Sequence, residues 1–263
     1  MSEKTPLSPE AQMRRMSRRS FLWAGGAIVS VIGARQWLAT RADADGIPYP
    51  FRRALKFNER VGRAVYRPSA LAPTFPAKFA GEPRPNGDIG LGSEFNVDEW
   101  ALSVERFNGD REPLSVNLAD IKSLPRTEMT TEIKCIEGWS QVVTWAGARL
   151  VDFMAKYPPD TKSSYKADIA QRPNDLPDYV GMATPDGLYY VGLDRESCLH
   201  MQTLLCYEMN GQPLTEEHGA PLRLVIPVKY GIKNIKRIGV IRYTEQRPAD
   251  YWAEAGYDWY AGL

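Results

Sequence analysis

Of the three cysteines in this sequence, Cys135, Cys198 and Cys206, the first stands where a sulfur could do chemistry. It closes the alternating run Glu132-Ile133-Lys134-Cys135-Ile136 and is followed by Glu137-Gly138-Trp139-Ser140. Alternation reads as a strand and Gly138 as its stop, so Cys135 falls at a strand terminus and can turn its sulfur to a cavity. Thiolate is a soft ligand, suited to a redox-active metal. The chain has only two histidines, His200 and His218, and neither CxxC nor HExxH spacing. That disfavours a zinc or iron–sulfur site made of protein ligands alone. One thiolate can hold a metal only if a cofactor brings the remaining ligands. Taken by itself, Cys135 also fits plain burial as a small apolar side chain.

A second segment has the equipment for an anion. Glu217-His218-Gly219-Ala220-Pro221-Leu222-Arg223 runs on to Lys229-Tyr230-Gly231-Ile232-Lys233-Asn234-Ile235-Lys236. Arg223 can make paired bonds to a phosphate, and the lysines add point charge. A turn at Gly231 can aim backbone N–H groups the same way. The bland alternative is a solvated basic turn between two strands.

These segments need a scaffold. Alternation predicts strands at Trp100–Val104, Leu114–Leu118, Tyr179–Ala183, Leu188–Val191, Leu222–Pro227 and Arg237–Ile241. Helical spacing covers Ala148–Tyr157, stopping before Pro158-Pro159, and Asp194–Leu205; Asn117 or Asp120 can start a short one. Mixed short strands with few helices give an α+β fold. Cys198 and Cys206 read as buried thiols, and their spacing predicts no disulfide. Residues 45–90 are rich in Pro, Arg and Gly, which breaks helices; Phe51, Leu55, Phe57, Phe75 and Phe79 make the stretch an arm anchored on the core rather than a free linker.

The first 44 residues read as a leader. Arg14, Arg15, Arg18 and Arg19 precede an apolar run from Phe21 to Ala34, with Ser17-Arg18-Arg19-Ser20-Phe21-Leu22 as a twin-arginine signal and Ala42-Asp43-Ala44 as a cleavage site. Arg35 ends the apolar run too early for an ordinary membrane span. Export to the periplasm is expected, with membrane association through an uncleaved leader or a partner. That route carries proteins already folded, often around a cofactor. The body, 91–263 with its arm, is long enough to bury a core without disulfide staples. Lys and Arg number 33 against 32 Asp and Glu, so no whole-chain field points to nucleic acid.

Five blocks in order, CIEGWS, YVGMAT, EMNGQPL, EHGAPLRLVIP and KYGIKNIK, resemble the molybdopterin-binding domain of the sulfite-oxidase family. The likeness runs from Leu91 to Tyr243 and is strongest to the exported branch that reduces methionine sulfoxide. It implies the family's α+β fold and a molybdenum–molybdopterin cofactor. By the resemblance, Cys135 matches the cysteine that ligates molybdenum, Thr184 a cofactor-contacting threonine, and Arg223 the arginine on the pterin phosphate. Asn234, Ile235 and Lys236 match a stretch along the cofactor. His218 stands where that branch has asparagine. Asn58, Val61 and Gly62 match an N-terminal cofactor segment, the last two with altered residue types.

The resemblance implies transfer of an oxygen atom or electrons. Sulfite is a dianion, and Glu137, two residues after Cys135, would repel it from a partly desolvated pocket. The expectation is therefore reduction of an S-oxide or N-oxide, small or protein-bound, with sulfite oxidation as the alternative. Cys-x-x-Cys-His is absent, so no haem is expected on this chain, and electrons come through a membrane haem subunit or a soluble cytochrome. Two other readings stay open: a cysteine hydrolase with His218 as base, and an exported binding protein without metal.

Overall fold

Two helices, with the short paired strands Asp43–Ala44 and Ile47–Pro48 between them, precede the two five-stranded sheets. The computed structural model describes residues 9–41, 43–44, 47–67, 69–92, 96–107 and 112–263, divided into a unit Met1–Ala54 and a unit Leu55–Leu263. The first unit holds helix α1, Pro9–Ala39, and the start of α2, Tyr49–Val65. No helix among the described residues is long and apolar enough to cross a membrane. Residues 1–8 of the expected leader, Ala42 of its cleavage site and Asp45 at the start of the arm lie outside the described residues.

The helix α2 corrects the reading of 45–90 as helix-breaking. Its only proline is Pro50, in the first turn, where a missing N–H is harmless. Irregular backbone starts only at Tyr66. From there the chain lies along the strands: Thr74 bridges to Thr131, Phe75 N–H donates to Thr130, and Gly81 N–H donates to Val142 at 3.0 Å.

In the second unit we number β1 (Leu102–Glu105), β2 (Leu114–Val116), α3 (Leu118–Lys122), β3 (Arg126–Lys134), β4 (Ser140–Arg149), α4 (Leu150–Lys156), β5 (Tyr179–Ala183), β6 (Tyr190–Asp194), α5 (Arg195–Leu199), β7 (Leu204–Met209), β8 (Gln212–Pro213), β9 (Arg223–Val225), β10 (Val240–Thr244) and α6 (Tyr251–Glu254). One sheet runs β8–β7–β4–β3, with β9 also paired to β7. The other runs β2–β1–β10–β5–β6; its β10–β1 pair is parallel and the rest antiparallel. The fold is α+β, as the pattern predicts.

Period-two alternation explains the packing. Leu205 and Tyr207 of β7 join Leu102, Val180 and Ile241 of the other sheet in one core, while Leu204 and Cys206 face a second cluster with Val143, Trp145 and Val225. The first sheet is thus covered on both faces. Asn117 caps α3 in a reciprocal box with Asp120.

Among the element boundaries that differ from the sequence pattern, three have a local cause. The expected helix from Asp194 to Leu205 stops at Leu199, because Thr203 Oγ1 donates to the Ser197 carbonyl at 2.7 Å and takes an acceptor the next turn would need. Cys206 is therefore a strand residue. Arg237 has φ 46°, which no strand tolerates, so β10 starts at Val240. Tyr189 N–H donates to Thr184 Oγ1, so a turn delays β6 to Tyr190. All three cysteines are free and buried.

The β4–β7 pairing shifts register at Ala146/Gly147, and there the backbones touch. A Cβ at Gly147 would stand 2.1 Å from the Leu205 carbonyl oxygen. We predict that Gly147→Ala destabilises the chain by roughly 3 kcal/mol, read from denaturant midpoints, since neither strand can yield. Wild-type stability in that variant would show that the pairing is looser than described.

Candidate functional site

The end of β3 and the turn after it build one wall of a cleft. Cys135 N–H donates to the Trp139 carbonyl at 2.9 Å and Gly138 N–H returns to the Cys135 carbonyl at 3.2 Å. Gly138, at φ 87°, takes a left-handed conformation that costs glycine little. This tight turn lifts the sulfur off the sheet. Cys135 is only 9% exposed, and its Sγ lies 3.8 Å from both Asn86 Nδ2 and Glu137 Oε2. Burial pushes its thiol up, and the Glu137 charge adds to that; the backbone N–H groups of Glu137 and Ile136 pull the other way.

Glu137 lines the same cleft. Its carboxylate accepts from Trp139 Nε1 at 2.9 Å, so it is held by an indole rather than by backbone donors. Arg84 from the arm lies over the Trp139 ring at 4.9 Å. The cleft encloses about 1110 Å³ of atom-free space, its mouth included, which admits a cofactor-sized molecule.

The opposite wall is cationic. Arg223 leads β9, is buried, and donates to the carbonyls of His218 at 3.1 Å and Asn234 at 3.3 Å. Its guanidinium lies 4.8 Å over Trp145, while Nε is buried with no partner. Burial lowers its pKa to about 10, and no carboxylate among the described residues bonds to it. Lys236 reaches the cleft too, donating to the Gly87 and Glu217 carbonyls at 2.8 Å each. Burial, then the Arg223 charge, pushes it down to about 8. His218 Nδ1 is 2.8 Å from Thr215 Oγ1, and its buried Nε2 has no hydrogen bond of good geometry. A buried cation bonded only to carbonyls is costly unless an anion completes it. This wall therefore fits a phosphate-bearing group, and the thiol on the facing wall fits a soft metal.

Of the sequence-predicted residues, Cys135, Glu137, His218, Arg223, Asn234 and Lys236 share this cleft. Asn234 shapes it rather than facing it: its Oδ1 accepts from Ile226 N–H at 2.8 Å and its Nδ2 donates to Tyr230. Ile235 points into the main core. Thr184 does not line the cleft; its hydroxyl donates to Asp186 at 2.6 Å and closes the turn to Tyr189. Asn58, Val61 and Gly62 line a separate groove with Tyr66 and Tyr260. In the Gly231 turn the N–H groups of Lys233, Asn234 and Ile235 go to local carbonyls, while Gly231 and Ile232 line the cleft. Lys229 and Lys233 turn inward, beside Asp194 and Asp250.

Sequence reasoning missed Pro83, Arg84, Asn86, Gly87 and Ile89 of the arm, and Tyr189, Trp252 and Tyr257. Only the density of prolines and glycines marked the arm, which says nothing about what it faces. The hydrolase reading finds no support, since the neighbours of Cys135 Sγ are an amide and a carboxylate, not an imidazole.

The model of the oxidoreductase molybdopterin binding domain matches residues 90–252. The chain belongs to this family. It is an oxidoreductase of the molybdopterin-binding type. Among its relatives is the catalytic subunit MsrP of the protein-methionine-sulfoxide reductase from Ralstonia nicotianae, 29% identical over 95% of this chain and 74% of that one. The MsrP of Campylobacter jejuni is 32% identical over 66% of this chain and 60% of that one. The crystal structure of the sulfane dehydrogenase SoxCD from Paracoccus pantotrophus superposes with a TM-score of 0.48 at 19% identity, covering 68% of this chain and 46% of that one.

Burial lowers the His218 pKa; the Glu217 charge opposes it, and the Arg223 and Lys236 charges add to the lowering. An unfolded histidine takes a proton as pH falls below about 6.5, while the folded one resists, so the unfolded state binds more protons there. We predict that stability falls between pH 7 and 5, and that His218→Gln flattens part of that slope in denaturant titrations. An unchanged slope in the variant would show that His218 titrates normally.

Proposed function

We propose that this chain reduces S-oxides, with N-oxides as the related class, at a molybdenum held by one pterin dithiolene and Cys135 Sγ. The observation that carries this is the pairing, in one cleft, of a presented thiol with a buried arginine and a lysine whose described hydrogen bonds all go to carbonyls. The names of the relatives support the substrate class: both MsrP proteins are catalytic subunits of protein-methionine-sulfoxide reductases.

Bound there, the cofactor supplies two-electron oxygen-atom transfer. The protein's part is binding and charge. Arg223 Nε and the Lys236 ammonium hold the phosphate, with the neutral His218 ring beside them. Arg223 is kept in place by Trp145 and two carbonyls, so little reorganisation accompanies binding. Glu137, fixed by the Trp139 indole, puts negative charge near the sulfur. That repels a dianion and leaves a neutral oxide unopposed. Trp139, Trp252 and Tyr257 give the cleft apolar surface for a thioether product. Reducing a sulfoxide to a thioether and water takes two electrons and two protons. We assign the electrons to a haem-bearing membrane subunit or a soluble cytochrome, and the place of work to the periplasm, on the support of Arg18-Arg19 and the apolar run behind them.

Natively purified protein should carry about one molybdenum per chain by mass spectrometry, and Cys135→Ala should abolish turnover while the chain stays folded. Arg223→Met should weaken cofactor retention by about 10- to 100-fold, read as molybdenum lost on dialysis. Steady-state assays should show methionine sulfoxide reduced and sulfite untouched. Metal-free protein, or brisk sulfite oxidation, would overturn the reading.

A further inference from the structure

The Cys135 sulfur sits in a set of N–H donors, only one of which a side-chain change can remove. The backbone N–H groups of Ile136 and Glu137, in its own turn, favour its thiolate form. The third donor, Asn86 Nδ2 at 3.8 Å, comes from 49 residues earlier in the chain. That distance is within reach for a hydrogen bond to sulfur, whose lone pairs extend further than those of oxygen.

Asn86 is held at both flanks. On one side, Arg84 N–H donates to Gln141 Oε1 of β4 at 2.8 Å, and Gln141 Nε2 returns to the Glu82 carbonyl. On the other side, Lys236 Nζ donates to the Gly87 carbonyl at 2.8 Å, and Arg237 donates to the Leu91 carbonyl at 3.1 Å. The arm is thus tied to the strand beside the sulfur and to the cationic wall opposite. Both ties bracket the amide and fix where its N–H can point. The remaining side-chain neighbour of the sulfur, Glu137, offers only oxygen. Once the sulfur is a thiolate, that carboxylate can no longer accept its proton and instead opposes its charge. Asn86 is then the only side-chain donor facing the sulfur among the described residues.

We propose that Asn86 is a positioning residue that donates an N–H···S bond to the Cys135 thiolate and thereby sets the electron demand of the metal it ligates. This rests on the reading of Cys135 as that ligand. An N–H directed at a ligating sulfur withdraws electron density from it, which favours the reduced metal and raises the reduction potential. For an enzyme that must accept electrons before it reduces an oxide, that is the useful direction. The arm therefore does two things: it closes the cleft, and it tunes the centre inside it.

The test uses the full chain loaded with cofactor, as wild type, Asn86→Leu, Asn86→Gln and Cys135→Ala. The readouts are molybdenum content, the thiolate-to-metal charge-transfer band and the midpoint potential from a redox titration. Asn86→Leu keeps the side-chain volume and removes the donor, so molybdenum is retained, the band moves to lower energy and the potential falls. Asn86→Gln keeps an amide and lies between Leu and wild type. An Asn86→Leu variant with full metal and unshifted band and potential overturns the proposal. If Asn86→Leu does not load, Asn86→Gln decides. Loading with a near-wild-type band supports the amide contact, and equal loss in both makes Asn86 a folding residue and overturns it. A charge-transfer band that survives in Cys135→Ala removes the ligand itself, so the proposed function fails there together with this inference.

Discussion

A buried guanidinium without a carboxylate constrains everything around it. Arg223 has lost its water and gained only two carbonyls and the face of Trp145. Such a group destabilises an empty protein and stabilises a protein that holds an anion. Its position follows from the sheet. Arg223 opposes Cys206 in the β9–β7 ladder, and Trp145 is on β4, which pairs with β7 on its other edge. Three strands are thus needed to place one cation. The 0% exposure of Leu224, next in sequence, shows how firmly that ladder is anchored in the core.

The opposite wall obeys a different rule. The Cys135 turn is a local structure, closed by two backbone bonds and one positive-φ glycine, and it extends the longest strand pair in the molecule. A turn of this kind moves little, because β3 pairs with β4 along its whole length. The cleft is therefore bounded by a rigid hairpin end on one side and a sheet-anchored cation on the other. The arm spans between them.

Much of this was legible in the sequence, for reasons that differ by residue. Alternation located β3, and a cysteine followed by glycine located its exit. Arg223 was legible because a guanidinium close to a lysine- and glycine-rich loop is equipment for a phosphate. Asn234 and Ile235 were matched to cofactor contacts by resemblance; Asn234 lines the cleft and Ile235 does not. One orders the loop and the other fills the core, and spacing alone does not separate those roles. The helix expected to reach Leu205 failed because a threonine hydroxyl competed for a helical carbonyl, which periodicity does not see. Asn58, Val61 and Gly62 line another groove because the N-terminal match did not account for the arm. Residues 83–89 form the wall instead, and their only signal was proline and glycine.

The residues around the cleft run from Pro83 to Tyr257 in a chain of 263. The roof is synthesised early, the sulfur midway, and the guanidinium and the last aromatic ring near the end. A chain stopped short of Arg223 lacks the cationic wall, and one stopped short of Tyr257 lacks the last ring, so a complete cleft requires that both sheets have formed.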